Sequence, residues 1–451
     1  MRPTPDDQDR HQLRDFRAEL YRCMTGWGDT LFELCDAALC APGALHSVPA
    51  LSLEPTFRRS HGSLYKALAR GEIDEERLRR LLLSDRPTTW PQVFAVDASV
   101  WDRCDAECSP ERGFYYSASK HSAGQPIVAG WSYQWISQLS FMPDSWTAPV
   151  DALRIAPTID ATDATIDQVR RLCDALGPQK GAAPMFVFDA GYDPIALGAG
   201  LRDVNAQVLV RIKSDRVFYD EPGPRRGPTK GRPPRHGRRF KLSEPKSAPR
   251  PDSRIQLHDP RYGTVRVRAW HNRHPKLTGR GRWAGPKIPI VRGSVIRVDV
   301  EHLPNPVGRT KKTLWLWWSG SGAPDLELCF RAYLRRFDIE HTYRFVKNTL
   351  GWTTPSLQTP EQADRWTWIV IGAYTQLRLA RQLVEDLRLP WERRLDVAQL
   401  TPARVRRGFR RLRATLGTPA SPPKSNTPGP GRPRGTRTGP LKRYPVTKRS
   451  A

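Results

Sequence analysis

Two short apolar runs, each closed by one aspartate, limit what this chain can fold into. Val-Phe-Ala-Val leads into Asp97, and Met-Phe-Val-Phe leads into Asp189. Neither run alternates with polar residues, so each reads as a strand buried on both faces. An acidic residue at the end of such a strand is costly unless a cation or hydrogen-bond donors meet it. A single buried aspartate is most often a satisfied structural acid. Two at the ends of neighbouring strands need a further reason.

Around these runs the chain switches between helix and strand patterns. Residues 13–83 read as helices: FRAELYRCMTGWGDTLFELCDAAL breaks around Gly26 and Gly28, and SLYKALARGEIDEERLRRLLL reads as two short helices meeting at Gly71, with Asp74 as N-cap. Such a pair can dock in a DNA groove, and a plain helical domain reads as well. After Arg86-Pro87 come PQVFAVDASVW, FYYSAS and PIVAGWSYQWISQLSF as three strands, then a helix from Asp163 to Leu176. MFVFDAGYDP follows as a fourth strand, then a helix starting near Pro194, and QVLVRI as a fifth strand. Three meandering strands, helix, strand, helix, strand is the order of an RNase H-like α/β domain.

The basic stretch GPRRGPTKGRPPRHGRRF then opens an insertion whose TVRVRAWHN, SVIRVDVEHL and TLWLWWS have the period of strands. Trp315, Trp317 and Trp318 read as strand-core and sheet-face residues. The expected organisation is an N-terminal helical domain over 1–86, an RNase H-like catalytic domain over 87–212 and 324–416, a β-rich basic insertion over 213–323, and a disordered basic tail over 417–451.

The stretch RAYLRRFDIEHTYRFVKNTLGW, residues 331–352, has no Gly or Pro before Gly351 and reads as one helix. Advancing about 100° per residue from Tyr333, Arg336 falls near about 300°, Glu340 near about 340° and Lys347 near about 320°. Leu328, Ile339, Val346 and Leu350 gather between about 220° and 260° and would anchor the helix on a core. One carboxylate, flanked by cations and a phenol, therefore projects from a well-held helix. A solvated charged face is the plainer reading.

The 451 residues carry a formal net charge of +27, which favours a polyanionic partner, nucleic acid before membrane. No apolar run approaches the roughly 20 residues of a membrane span, and the N-terminus lacks a signal peptide's apolar core. A cytoplasmic, nucleoid-associated location is expected. The seven scattered cysteines read as reduced thiols, and Cys104 and Cys108 lack a second pair at zinc-ligand spacing.

Asp97, Asp189 and Glu340 brought close together would repel one another, and divalent cations would relieve this. Hard oxygen ligands suit Mg²⁺ or Mn²⁺. Two such ions about 3.5–4 Å apart can activate a water or 3′-hydroxyl and stabilise the leaving oxygen at a phosphodiester. A glycosidase-style carboxylate pair is the competing chemistry, and the basic composition and third acid fit it poorly. Asp102, Asp105 and Glu107 read as loop acids, and Asp193 before Pro194 as a helix cap rather than a metal ligand.

The spacing of Tyr333, Arg336, Glu340 and Lys347 resembles the Y-R-E-K signature of a large group of bacterial insertion-sequence transposases. Asp189-Ala190-Gly191-Tyr192 resembles that group's second motif, D-x-G-Y/F, and Asp97 lies on the first strand, where the group has its first aspartate. The resemblance runs from Asp97 to Trp352. It implies a DDE transposase in which Asp97, Asp189 and Glu340 are catalytic and hold two Mg²⁺ or Mn²⁺ ions. It also implies that Tyr333, Arg336 and Lys347 contact transposon-end phosphates and that the β insertion carries a base-capturing Trp. Arg344, on the same helix, is a further expected DNA contact. The expected activity is cleavage at terminal inverted repeats followed by strand transfer into target DNA, by at least a dimer. The alternatives are an inactive transposase-derived DNA-binding protein and an RNase H-like nuclease without strand transfer. Arg432 and Arg232, each in a Gly-Arg-Pro triplet, present a cation on a narrow extended backbone suited to an A·T-rich minor groove.

Overall fold

The computed structural model describes residues 5–117, 126–178, 181–224, 231–304, 312–424, 433, 435 and 439–448. Four helices come first: α1 (Pro5–Cys23), α2 (Gly28–Cys40), α3 (His61–Arg70) and α4 (Glu75–Ser84). Then follow β1 (Val93–Asp102), β2 (Gly113–Tyr116), β3 (Ile127–Leu139), β4 (Thr147–Ile155), α5 (Ala161–Leu176), β5 (Met185–Phe188), α6 (Pro194–Gly200) and β6 (Gln207–Ile212). The insertion supplies β7 (Val217–Tyr219), β8 (Arg239–Lys241), β9 (Ser253–Asp259), β10 (Gly263–Arg273), β11 (Gly293–Val300) and β12 (Thr313–Ser319). Last are α7 (Leu326–Arg335), α8 (Asp338–Asn348), α9 (Pro360–Leu379) and α10 (Pro402–Leu416). The fold is an α/β domain of RNase H type with N-terminal helices and a β-rich insertion.

The chain forms two compact units, Met1–Pro91 with Ala98–Asp160 and Asp338–Ala451, and Gln92–Asp97 with Ala161–Phe337. In the first, α9 is the central element. Its residues Trp366, Ile369, Val370, Ile371, Tyr374 and Leu377 are fully buried, and α1, α2, α3, α10 and β4 pack on it. The N-terminal helices therefore share a core with α9. Asp74 caps α4 as its sequence suggests, accepting from the Arg77 N–H at 2.9 Å. A capping box opens α9: the Thr359 side chain accepts from Gln362 N–H, and the Gln362 side chain accepts from Thr359 N–H. Thr359→Ala is expected to cost about 1 kcal/mol in chemical denaturation.

On the sheet of this unit, β3 pairs antiparallel with β2 through Ile127–Gly130 and with β4 through Ser132–Leu139, and lies beside β1 on its other edge. A Cβ on Gly130 would sit 2.2 Å from the Trp101 carbonyl oxygen, so only glycine permits this approach. Strand β4 was not apparent in the sequence. Its Pro149 and Asp151 break the apolar pattern, yet β4 is an edge strand, and Pro149 falls where the β3–β4 register shifts, a place that tolerates a missing N–H. Asp151 is buried and paired with Arg79 at 2.6 Å. An aromatic network of Trp101, Trp131, Tyr133, Trp135, Tyr343 and Trp352 fixes α8 and the turn after it; Tyr343 stacks on Trp352 at 5.9 Å. Within the tail read as disordered, Tyr444 and Thr447 donate backbone hydrogen bonds to the Glu107 and Arg112 carbonyls, placing this segment beside β2.

In the second unit, β5 pairs parallel with β1 and β6, and α5 and α6 are the helices between these strands. Strand β12 adds antiparallel to β6, then β11, β10 and β9 follow in order, so the insertion extends the sheet rather than forming a separate layer. The β7–β8 hairpin closes over a small core of Phe218, Phe240, Trp270, Trp315 and Trp317. Strands β7 and β8 are three residues each, and β9, which does alternate, carries just two aliphatic residues; the sequence did not mark them.

The stretch read as one helix over 331–352 is two. Helix α7 buries Leu326, Cys329, Phe330 and Ala332 in the second unit, packing on β5, β9 and β10. Helix α8 buries Ile339, Thr342, Tyr343 and Val346 in the first. The Arg336 N–H still bonds the Ala332 carbonyl at 2.9 Å, and the ladder turns at Phe337, whose N–H bonds the Leu334 carbonyl at 3.4 Å and whose ring is exposed. Two cores, each needing its own face, take precedence over helix propensity here.

Candidate active site

In the second unit the two aspartate-ended strands run side by side. The parallel register pairs Val93 with Met185, Phe94 with Phe186 and Ala95 with Val187. These residues are fully buried, and the Phe94 and Phe186 rings stack 5.4 Å apart. Each aspartate follows the last of these pairs by two residues, Asp97 within β1 and Asp189 just past the end of β5.

Asp97 is buried at 9% exposure, and the Arg336 guanidinium lies 3.8 Å from its Oδ2. Arg336 is itself largely buried, sits 5.9 Å from the Tyr333 ring, and has its Nε and Nη1 without hydrogen-bond partners among the described residues. A guanidinium held so close to a buried carboxylate is the cation that such an acid requires. Asp189 is half-buried, and its Oδ1 accepts from the Gly191 N–H at 2.8 Å. A Cβ on Gly191 would stand 3.1 Å from that oxygen, so glycine keeps the turn tight. Tyr192 packs on Phe188 at 5.0 Å. Asp193 is a helix cap, accepting from Ile195 and Ala196 N–H groups.

Glu340, Arg344 and Lys347 belong to the first unit, on α8. Their i, i+4, i+7 spacing puts them on one stripe. Glu340 is half-buried, Arg344 exposed, and Lys347 half-buried. The Lys347 ammonium stands 3.4 Å from the Val100 carbonyl oxygen and 5.7 Å from the Trp352 ring. It lines a polar cavity of about 530 Å³ together with Arg103, Asp102, Asp105, Asn348, Thr353 and Thr354, so two cations face two carboxylates there. The sequence did not disclose this cavity, since hydroxyl and amide residues so common carry no signal. Tyr333 and Arg336 lie outside the α8 stripe, because the break after Arg335 ends the single arc that a continuous helix would have given.

Among the described residues, no three His, Cys, Asp or Glu side chains are grouped to hold a metal ion. Asp97 and Asp189 nevertheless have the right chemistry for one: oxygen donors only, at adjacent strand positions, in partial burial, which suits Mg²⁺ or Mn²⁺ over softer ions. Thiol chemistry has little place. All seven cysteines are free, and burial raises Cys23 to about 11, Cys40 and Cys173 to about 12, and pushes Cys35 and Cys329 up as well. Trp315, Trp317 and Trp318 are buried at 6%, 0% and 2% exposure, and Trp317 stacks on Phe218. None presents a free ring face to a base. Arg232 is described and exposed; Arg432 lies outside the described residues. No helix among the described residues is long and apolar enough to cross a membrane.

The sequence matches the DDE superfamily endonucleases over residues 19–276, more than half its length. The chain belongs to that family. The matched span includes Asp97 and Asp189 and ends before Glu340. No curated protein matches it. Among solved structures, it is similar to a chain from a cryo-EM structure of a piggyBac transposase synaptic complex with hairpin DNA, at 11% identity and a TM-score of 0.38. The similarity covers 77% of this chain and 65% of that transposase chain.

Proposed function

We propose that this chain is a DNA transposase of the bacterial insertion-sequence type with the Y-R-E-K signature. It cuts phosphodiesters at the ends of a mobile element and joins the freed 3′-hydroxyl to target DNA. The observation that supports the reading is the parallel pairing of β1 with β5, the strands that carry or lead into Asp97 and Asp189, in a chain of the DDE endonuclease family. The net charge of +27 suits a DNA substrate.

In this reading Asp97, Asp189 and Glu340 hold two Mg²⁺ or Mn²⁺ ions. When bound, such ions supply an activated water or hydroxyl and a counter-charge for the leaving oxygen. The rest falls to the chain's own groups. Strand β1 fixes the Asp97 carboxylate, and Arg336 beside it neutralises charge until substrate phosphate is present. The Gly191 N–H orients Asp189. Lys347 and the hydroxyls of its cavity bind a backbone phosphate, while Arg344 and Tyr333 hold the flanking duplex. The active complex contains at least two copies, since two ends must be joined. Arg232 and Arg432 add affinity for target DNA.

The test is a nicking assay on duplex carrying the sequences that flank the gene. Wild type is expected to nick in Mg²⁺ or Mn²⁺, then to join the 3′ end, and to do neither in EDTA. Binding without cleavage in either metal would leave an inactive DNA-binding protein, and cleavage without joining would leave a nuclease.

A further inference from the structure

The extended sheet of the second unit has one face with an arrangement that the proposed chemistry does not use. Arg268 on β10 is paired directly with Arg254 on β9 and with Arg297 on β11, and Arg297 is paired with Trp315 on β12. Directly paired residues share a face, so three guanidiniums stand in one row across three strands. At about 4.8 Å between strands, the row is about 10 Å long. The next row, one pleat along, is Gln256, Arg266, Asp299 and Thr313, followed by His258 opposite Thr264. The opposite face, with Val265, Val267 and Ala269 fully buried, is packed. On the arginine face, Trp270, Val295, Trp315 and Trp317 are buried in the core that β7 and β8 share, so the open part of that face runs from Arg254 and Arg268 toward His258 and Thr264.

Like charges directly opposite one another destabilise a sheet. Asp299 relieves part of this, pairing with both Arg268 and Arg297 and accepting from the Thr313 hydroxyl at 2.7 Å. The Arg297 guanidinium also lies 5.4 Å from the Trp315 ring. Arg254 and Arg266 are exposed, and among the described residues Arg266 hydrogen-bonds the neutral Gln256 side chain, at 3.3 Å. Charge on an outermost strand is a common guard against edge-to-edge pairing. That accounts for Arg254 on β9 and not for Arg266, Arg268 and Arg297 on interior strands.

We infer that this face docks the sugar–phosphate backbone of duplex DNA, apart from the strand being cut. The inference rests on the proposed DNA substrate. Four guanidiniums against two carboxylates, Asp299 and, at the Thr264 end, Glu301, with Gln, His and Thr between them, suit a phosphate array that carries one charge per about 3.4 Å of duplex axis on each strand. The rows offer no exposed aromatic or aliphatic anchor, which a protein partner's interface needs at its centre. The contact reads no sequence, because none of these side chains has to enter a groove.

The experiment measures affinity of the full chain for a random duplex of about 30 base pairs in EDTA across a salt series, with Arg254→Ala/Arg266→Ala as the variant. Two lost phosphate contacts should lower the slope of log K against log salt by about 1.8 and weaken binding about tenfold or more near 0.1 M salt. Arg254→Lys/Arg266→Lys should restore both, since either cation releases counterions. Arg22→Ala/Arg170→Ala removes the same charge from positions paired with Glu19 and Asp203 and should leave the slope unchanged. An unchanged slope in the first variant, or an equal fall in both alanine variants, overturns the inference. Loss of self-association with DNA affinity intact overturns it in favour of a second copy of the chain. Absence of duplex binding by wild type would instead remove the proposed function beneath it.

Discussion

Asp97→Asn should abolish metal-dependent DNA cleavage while leaving duplex binding in EDTA within about twofold. The substitution keeps the shape of the side chain and deletes the charge of one of the proposed metal ligands. A carboxylate that holds a catalytic cation underwrites several kcal/mol of transition-state stabilisation. A deficit of about 4 kcal/mol is a rate loss of about 10³-fold. Binding follows a different term, the release of counterions by Lys and Arg, and an added positive charge does not weaken it. Arg336 loses its counter-charge in the variant, so thermal unfolding should accompany the kinetics. Cleavage within tenfold of wild type, by a folded Asp97→Asn protein, would mean that this aspartate is a structural acid.

The largest effect on stability is expected at Asp36. It is fully buried on α2, and Arg17 on α1 grips it with two hydrogen bonds, at 2.7 and 3.0 Å. Arg413 on α10 adds a third at 2.9 Å, and Arg17 also reaches Gln376 on α9. This network ties four helices of the first unit together. Asp36→Ala leaves two guanidiniums facing each other in or near the core without a counter-charge, a change that costs about 3–5 kcal/mol. Urea denaturation measures it. A loss below about 1 kcal/mol would show that water or rearrangement satisfies the arginines.

The main strands were legible because β5, Val93–Val96 of β1 and Val208–Val210 of β6 are apolar runs buried on both faces. Asp97 and Asp189 were legible for the same reason, as charges where charge is expensive. What failed was whatever depended on partners far away in sequence. Strand β4 holds a proline and a charge that only its edge position and Arg79 make tolerable. The break between α7 and α8 has no Gly or Pro to announce it; it exists because Ala332 and Ile339 are buried in different cores. The aromatic strand β12 was visible, but only the closing β7–β8 hairpin shows why its tryptophans turn inward. The arginine row was written in the alternation of β9, β10 and β11 and became a row only through their register.

The most direct test of the metal assignment replaces a hard ligand with a soft one. Asp189→Cys exchanges a carboxylate for a thiolate at a half-buried position that is not among the positive-φ residues. Thiolate binds Mg²⁺ poorly and Mn²⁺ or Cd²⁺ far better. The variant should therefore be inactive in Mg²⁺ and recover DNA cleavage when Mn²⁺ or Cd²⁺ is supplied, with wild type treated identically as reference. A variant equally dead in all three metals yet normally folded and bound to DNA, or one fully active in Mg²⁺, would contradict the placement of Asp189 at the metal.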